Sequence, residues 1–188
     1  MYLLTSPTGE PVSTADALLA ARLSATGEPL EPMLAGLIAA ARQIAEQETG
    51  RKFMQQTWRI EGESWPAADC PLRVHRATAA AIAYWTGSTW ATLATNAYAV
   101  YVLGNWTGVA PALGTDWPAL GEVAGGPRIR IDLTAGAASA ADVPECVKLF
   151  IKALVAHWIN SPEAATARSM ERAPFLGALL DPVRLWGD

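Results

Sequence analysis

Few residues in this 188-residue chain are of the kinds that build metal centres, disulfide frameworks or catalytic sites. It has two cysteines, Cys70 and Cys146, and two histidines, His75 and His157, without close metal-ligand spacing. It also lacks a phosphate-binding glycine loop, a nucleophile-elbow motif and a zinc-protease motif. We therefore predict no catalytic residues, no metal and no cofactor. We expect each cysteine to be a buried free thiol, with a disulfide between them as the alternative.

Positive charge and long apolar runs are also scarce. Lys and Arg number 14 against 18 Asp and Glu, which gives a net charge of −4. Such a surface has no general attraction for nucleic acid or anionic membrane. The longest apolar helix, around residues 147–159, contains Lys148 and Lys152 and is too short to cross a bilayer. Residues 1–5 lack the features of a signal peptide, so we expect an intracellular protein.

Helical patterns occupy both ends of the chain. Ser13 followed by Asp16 predicts the start of a short helix that continues through Leu23. A second helix is predicted from about Pro32 to Glu48, and Gly50 can adopt the positive φ that ends it. Its apolar stripe is Leu34, Leu37, Ile38, Ala41, Ile44 and Ala45. Asp142 and Pro144 predict a third helix over residues 143–160.

Between these helices the apolar period changes to two, which is typical of strands. The predicted strand positions are Trp58/Ile60, Ile82/Tyr84, Trp90, Tyr98/Val100/Val102 and Ile129/Ile131/Leu133. Residues 86–88 predict a hairpin turn. The predicted fold class is α+β in a single domain, residues 1–188. It combines a helical bundle (residues 13–51 and 143–160), an inserted β lobe (53–135) and a C-terminal tail (161–188).

The eight tryptophans suggest both a core and an interface. Trp58, Trp85 and Trp158 lie within periodic apolar patterns, so we expect them in the core. Trp106 and Trp117 lie in residues 104–127, which the glycines and prolines predict to be a long loop. We predict that these two tryptophans contact a neighbouring subunit or another partner.

The tail has an apolar face at helical spacing. Its members are Phe175, Leu176, Leu179, Leu180 and Val183, and Trp186 extends the run. Such a segment either folds back onto its own core or docks in a groove of a partner. The polar segment before it favours a partner. Deletion of residues 174–188 is therefore expected to leave a folded protein.

A series of short motifs runs along nearly the whole chain, in a characteristic order and spacing. They include residues 15–23, 37–42 leading to 48–51, Gln56-Thr57-Trp58, Trp65-Pro66, Val143-Pro144, Ala156-His157-Trp158 and Leu179-Leu180-Asp181-Pro182-Val183-Arg184. Together they resemble the head–tail connector, or adaptor, proteins of tailed bacteriophages and gene transfer agents.

The resemblance implies a structural protein of the particle neck, made in the cytoplasm of a bacterial host. Members of this family form a dodecameric ring on the portal protein, extend the DNA channel and receive a stopper or tail-side neck protein. The resemblance also implies a C-terminal arm that docks on the portal. In this chain the arm would comprise Phe175, Leu176, Leu179, Leu180, Val183, Arg184 and Trp186. DNA would pass through an acidic ring without specific binding.

Two other functions fit parts of the sequence. A β-lobed binding module would hold a carbohydrate or a peptide on exposed tryptophans. A hydrolase would require His157 or Cys146 in a pocket together with a carboxylate. The order of the motifs favours the connector hypothesis over both.

Overall fold

The computed structural model describes residues 1–23, 30–67, 70–160 and 174–185, with the backbone alone at residues 30–32, 174 and 175. The helices are α1 (Thr14–Ala20), α2 (Leu30–Thr49), α3 (Glu145–Asn160) and α4 (Pro174–Ala178). The strands are β1 (Tyr2–Thr5), β2 (Gln56–Gly62), β3 (Ala79–Trp85), β4 (Trp90–Thr92), β5 (Tyr98–Leu103), β6 (Trp106–Pro111) and β7 (Ile129–Ala135). The predicted α+β fold class is confirmed.

The chain divides into two compact units. The β unit comprises Met1–Pro7 and Gln55–Gly136, and the helical unit comprises Thr8–Met54 and Ala137–Asp188. Strand β1 was not predicted from the sequence. It belongs to the β unit because it pairs with β2 in an antiparallel ladder, Tyr2 opposite Arg59 and Leu3 opposite Trp58.

The β unit is built from a five-stranded antiparallel sheet, in the order β1-β2-β7-β3-β4, and a β5–β6 hairpin. Along β7 the apolar residues Ile129, Ile131 and Leu133 are buried, whereas Arg130 and Asp132 lie half-buried on the opposite face. This is the alternation that the sequence predicts. The predicted turn at residues 86–88 is confirmed, since Trp85 pairs with Trp90 across it. The core of this unit consists of Val74, Ile82, Tyr98, Val109, Ile129, Ile131, Leu133 and Ala135.

The helical unit buries the predicted stripes of α2 and α3. Its core consists of Val12, Ala17, Leu18, Leu34, Ile38, Ala41, Ala45, Phe53, Met54, Val143, Val147, Phe150, Ile151, Leu154, Val155, Leu176, Leu180 and Val183. Gly50 ends α2 with a φ of 73°, as predicted. Helix α1 stops at Ala20 rather than Leu23, because Arg22 adopts a left-handed φ of 58°.

Two local predictions are wrong. Asp142 does not cap α3, because it lies in a separate 3₁₀ turn that Ser139 caps by accepting a hydrogen bond from Ala141 N. Cys70 is exposed rather than buried, and Cys146 is half-buried; both are free thiols. No helix in the described ranges has the length and apolar character needed to cross a membrane.

Candidate assembly surfaces

The C-terminal half of α2 carries a buried network of charges in the helical unit. Arg42 donates from Nε to Glu10 Oε2 at 2.7 Å, and its Nη1 lies 3.1 Å from Glu46 Oε1. The same Glu46 oxygen accepts the backbone N–H of Phe53 at 3.0 Å. Lys52 Nζ lies 4.0 Å from the other Glu46 oxygen. These contacts fix the segment before α1 and the segment after α2 to one point on the helix.

Burial and the neighbouring carboxylates have opposite effects on the pKa values of the two cations in this network, Arg42 and Lys52. Desolvation alone would lower the pKa of Arg42, but the hydrogen bond to Glu10 and the attraction of Glu46 and Glu10 outweigh it and raise the pKa. For Lys52 desolvation dominates, the attraction of Glu46 offsets only part of it, and the pKa is lowered. Arg42 is therefore charged in the folded protein, and both carboxylates stabilise that charge.

The end of α2 also receives the C-terminal segment of the chain. Leu185 N donates to Thr49 O at 3.0 Å, while the Thr49 hydroxyl donates to Ala45 O at 2.7 Å. A Cβ at Gly50 would lie 3.4 Å from Leu185 Cδ1, in ordinary van der Waals contact, so the positive φ rather than a lack of space favours glycine here. We call residues 176–185 the C-terminal segment. Thr49 and Gly50, which belong to the Glu48–Arg51 motif, contact Leu185, so this motif holds the C-terminal segment on α2.

The predicted docking residues lie in different environments. Leu176, Leu180 and Val183 are buried in the helical core, with Leu180 fully inaccessible, and Leu179 packs against the same core. Arg184 lies 3.5 Å from Glu48 and 3.6 Å from Asp181. The Phe175 side chain and Trp186 lie outside the described residues.

This burial changes what the tail prediction requires. Docking on a portal stays a prediction, but Leu176, Leu180 and Val183 could contact a partner only by leaving their own core. Deletion of residues 174–188 is not compatible with an intact helical core, because the deletion removes all three side chains.

Trp106 lies in a strand and not in a long loop. Residues Gly104 and Asn105 form a two-residue turn, and Trp106 begins β6 opposite Leu103 of β5. It also bridges to His75, whose Nδ1 lies 2.7 Å from Asn105 O. The prediction of a continuous loop over residues 104–127 is therefore wrong. The Gly-Asn dipeptide between two β-patterned runs was the signal that could have revealed the hairpin.

Trp117 lies in the segment after β6 and stacks on Trp65, with ring centroids 4.4 Å apart and planes inclined by 7°. Trp65 Nε1 donates to Pro118 O at 2.9 Å, and Trp85 Nε1 donates to Glu122 O at 3.1 Å. The segment is thus ordered by tryptophans of its own unit. The interface role of Trp106 and Trp117, both half-buried, stays a prediction.

Close backbone packing holds the same segment against the β3–β4 turn. Gly121 N donates to Trp85 O at 2.8 Å, and a Cβ on Gly121 would lie only 1.9 Å from Gly87 N. Only glycine fits at this position.

One face of the sheet carries charges paired across strands. Arg59 donates two hydrogen bonds to Asp132, at 2.6 and 2.8 Å, and Arg130 donates to Glu61 at 2.9 Å. Arg130 also lies 3.9 Å from the centre of the Trp90 ring. The hydrogen bonds to Asp132 raise the pKa of Arg59. In each of these pairs the cation is matched by one carboxylate.

The residues considered for catalysis are not brought together. His157 and Cys146 are both half-buried on α3, and His157 Nε2 has no hydrogen-bond partner within the part of the chain that the structure describes. Within the same ranges, no group of three or more His, Cys, Asp or Glu side chains is placed to hold a metal ion.

No protein-family model matches the chain, and no curated protein matches it in sequence. Solved structures do match its fold. A chain from the neck of an empty gene transfer agent particle, computed with C6 symmetry, has a TM-score of 0.73 and 22% identity over 99% of this chain and 95% of that one. A chain from the virion of a native gene transfer agent particle has a TM-score of 0.74 and 22% identity, with the same coverage.

A third match comes from the neck of a native gene transfer agent particle computed with C12 symmetry. Its TM-score is 0.68 at 20% identity, and it covers 99% of this chain and 97% of that chain. The chain therefore has the fold of chains found in gene transfer agent necks. At the level of fold, the resemblance drawn from the sequence motifs is confirmed.

Proposed function

We propose that this protein is a structural component of the neck of a gene transfer agent or a related phage-like particle. It forms a ring on the portal, extends the DNA channel and joins head to tail. The observation that carries the proposal is the match of almost the whole chain, 99%, to chains of such particles. The match covers both the β unit and the helical unit, so it does not rest on one common substructure.

One observation supports the ring, and another supports the channel. The neck structures that share the fold were computed with C6 and C12 symmetry, which is the symmetry of closed rings. We propose twelve copies in the ring, in line with the C12 neck. The net charge of −4 suits a channel through which DNA slides, because a protein with an excess of negative charge has no general attraction for phosphates.

The proposed partners are the portal on the head side and a stopper or tail-side neck protein on the other. We assign portal docking to the tail residues Phe175, Leu176, Leu179, Leu180, Val183, Arg184 and Trp186. Because three of these side chains are buried in the helical core, docking through them requires that the C-terminal segment exchange its own core for the portal. Docking through Arg184, whose side chain is 26% accessible, requires no such exchange.

A binding module for sugars or peptides is the less supported alternative. Stacking on a ligand needs an aromatic face open to solvent, and one face of Trp117 is already stacked on Trp65.

A capture experiment tests the proposal. Tagged portal rings of the same particle are mixed with the purified protein, and the bound fraction is measured after sedimentation. We expect stoichiometric capture of the wild-type protein. Absence of capture by a folded protein would contradict the connector function.

Variants of the tail then test the docking assignment. Arg184→Ala and Trp186→Ala leave the described core side chains in place, and their melting temperatures are measured to show that both variants are folded. We expect both to bind the portal more weakly. Ala178→Ser, at an exposed position of α4, is the matched control and should bind as the wild type does. Unchanged capture of both variants would remove Arg184 and Trp186 from the docking surface.

A further inference from the structure

The sheet of the β unit has two different free edges. In the described part of the chain, β1 pairs only with β2 at one end of the sheet, and β4 pairs only with β3 at the other. Strand β1 is unusually exposed for an apolar strand: Tyr2, Leu3 and Leu4 are 45%, 40% and 43% accessible. An exposed apolar edge strand is a template for another strand.

Neither edge strand is protected against such pairing by charge or by proline. The sequences Tyr-Leu-Leu-Thr of β1 and Trp-Ala-Thr of β4 contain no charged residue and no proline. A register shift between Leu3 and Thr5 and the three-residue length of β4 limit the pairing to a short ladder. A short ladder suits an interface that is completed by other contacts.

The backbone of β4 is directed toward its free edge at two positions. Leu93 N donates to Ile82 O at 2.8 Å, which defines the hydrogen-bonded pairs of the β3–β4 ladder. Because the two kinds of pair alternate in an antiparallel ladder, Trp90 and Thr92 direct their N–H and C=O groups outward. The Trp90 side chain contacts Arg130, which lies 3.9 Å from the ring centre, and the Trp85 ring at 5.8 Å. The β4 edge therefore has backbone groups that another strand could pair with.

We infer that β1 of one copy pairs with β4 of the next copy, so that the sheets continue from subunit to subunit around the ring. This inference rests on the proposed ring. Closed cyclic symmetry requires that each subunit present two different, complementary surfaces, and the two free edges of this sheet meet that requirement. Pairing of β1 with β1 would instead produce a two-fold dimer that cannot close a ring of twelve.

Disulfide trapping tests the pairing directly. In a Cys70→Ser background, Leu3→Cys or Leu4→Cys is combined with Thr92→Cys, and portal-bound protein is oxidised and separated without reductant. We expect at least one combination to give a ladder of covalent multimers. The control combines Leu113→Cys, at a fully exposed position in the same unit, with Thr92→Cys and should stay monomeric.

The outcomes separate this inference from the proposed function. Rings that assemble on the portal but give no ladder with either combination would overturn the β1–β4 pairing and leave the connector function standing. Covalent dimers from Leu4→Cys alone would also overturn it, since they indicate β1–β1 pairing. Failure of the wild-type protein to form any ring would overturn both.

A charge exchange provides a second readout. Leu4→Lys together with Thr92→Lys places like charges on the two edges and should weaken ring assembly about tenfold or more. Leu4→Lys together with Thr92→Glu should restore it. Leu113→Lys is the control and should assemble normally. Equal assembly of the Lys/Lys and Lys/Glu variants would contradict the pairing.

Discussion

The two units of this protein use the same kind of ion pair in different environments. In the helical unit the side chains of Arg42 and Glu46 are each 5% accessible. In the β unit Arg59 and Asp132 remain 24% and 19% accessible. A buried charge that loses its partner is left without water as well, whereas a half-exposed charge is resolvated. Loss of one partner should therefore cost more free energy of unfolding in the helical network than in the β ladder.

Replacement of Arg42 should have the largest effect on stability, and it tests the difference between the two units most directly. Arg42→Met leaves the buried Glu46, 5% accessible, without this cation and also removes the partner of Glu10, so we expect a loss of about 3–5 kcal/mol in the free energy of unfolding. Denaturant titration followed by circular dichroism measures it. A loss no larger than that of Arg59→Met would show that the two environments are equivalent.

The C-terminal segment provides the next largest test within the helical unit. Leu180→Ala removes a fully buried side chain and should destabilise the protein by about 2–5 kcal/mol. Leu179→Ala, at a half-buried neighbour, is the matched control and should cost clearly less. Equal, small losses would mean that the segment does not reside in the helical core in solution.

Gly50 tests the joint between α2 and the C-terminal segment. Its φ of 73° lies in the left-handed region, where a side chain costs about 1–2 kcal/mol. We expect Gly50→Ala to lower the free energy of unfolding by that amount. Gly36→Ala in the interior of α2, where a Cβ meets nothing within 4 Å, should instead be neutral or stabilising. The same sign for both variants would refute the assigned helix end.

The smallest effect is expected on the open face of the sheet. Arg59→Met removes a bidentate pair with Asp132, but both partners stay in contact with water, so the cost should be below about 1 kcal/mol. The loss should also shrink as salt is added, because exposed charges are screened. A salt-independent loss as large as that of Arg42→Met would contradict the distinction between the two units.

The parts of the fold that the sequence predicts are those with a sustained period. The stripes of α2 and α3 and the alternation Ile129, Ile131, Leu133 give both the type and the orientation of their elements. Strand β1 has no visible alternation because it has only four residues, all of them exposed. Strand β6 was missed because Gly108 and Pro111 resemble loop residues; in the fold, Tyr101 covers Gly108 from the opposite strand.

The candidate sites were less predictable, for physical reasons. A helical stripe such as Leu176, Leu180 and Val183 has the same spacing whether it covers its own core or a partner. The pairing of Arg42 with Glu46 could be read from their spacing of four residues, but its partner Glu10 lies 32 residues away. The stacking of Trp117 on Trp65 likewise depends on a tertiary contact that no local pattern shows.

The most direct test of the proposed neck function is the mass of the purified protein in solution, measured alone and then with the portal of the same particle. The proposal predicts one portal ring carrying a complete ring of this protein, twelve copies in the C12 arrangement. A folded protein that keeps its own mass in the presence of intact portal rings would contradict the proposal and leave the likeness to neck chains as one of fold alone.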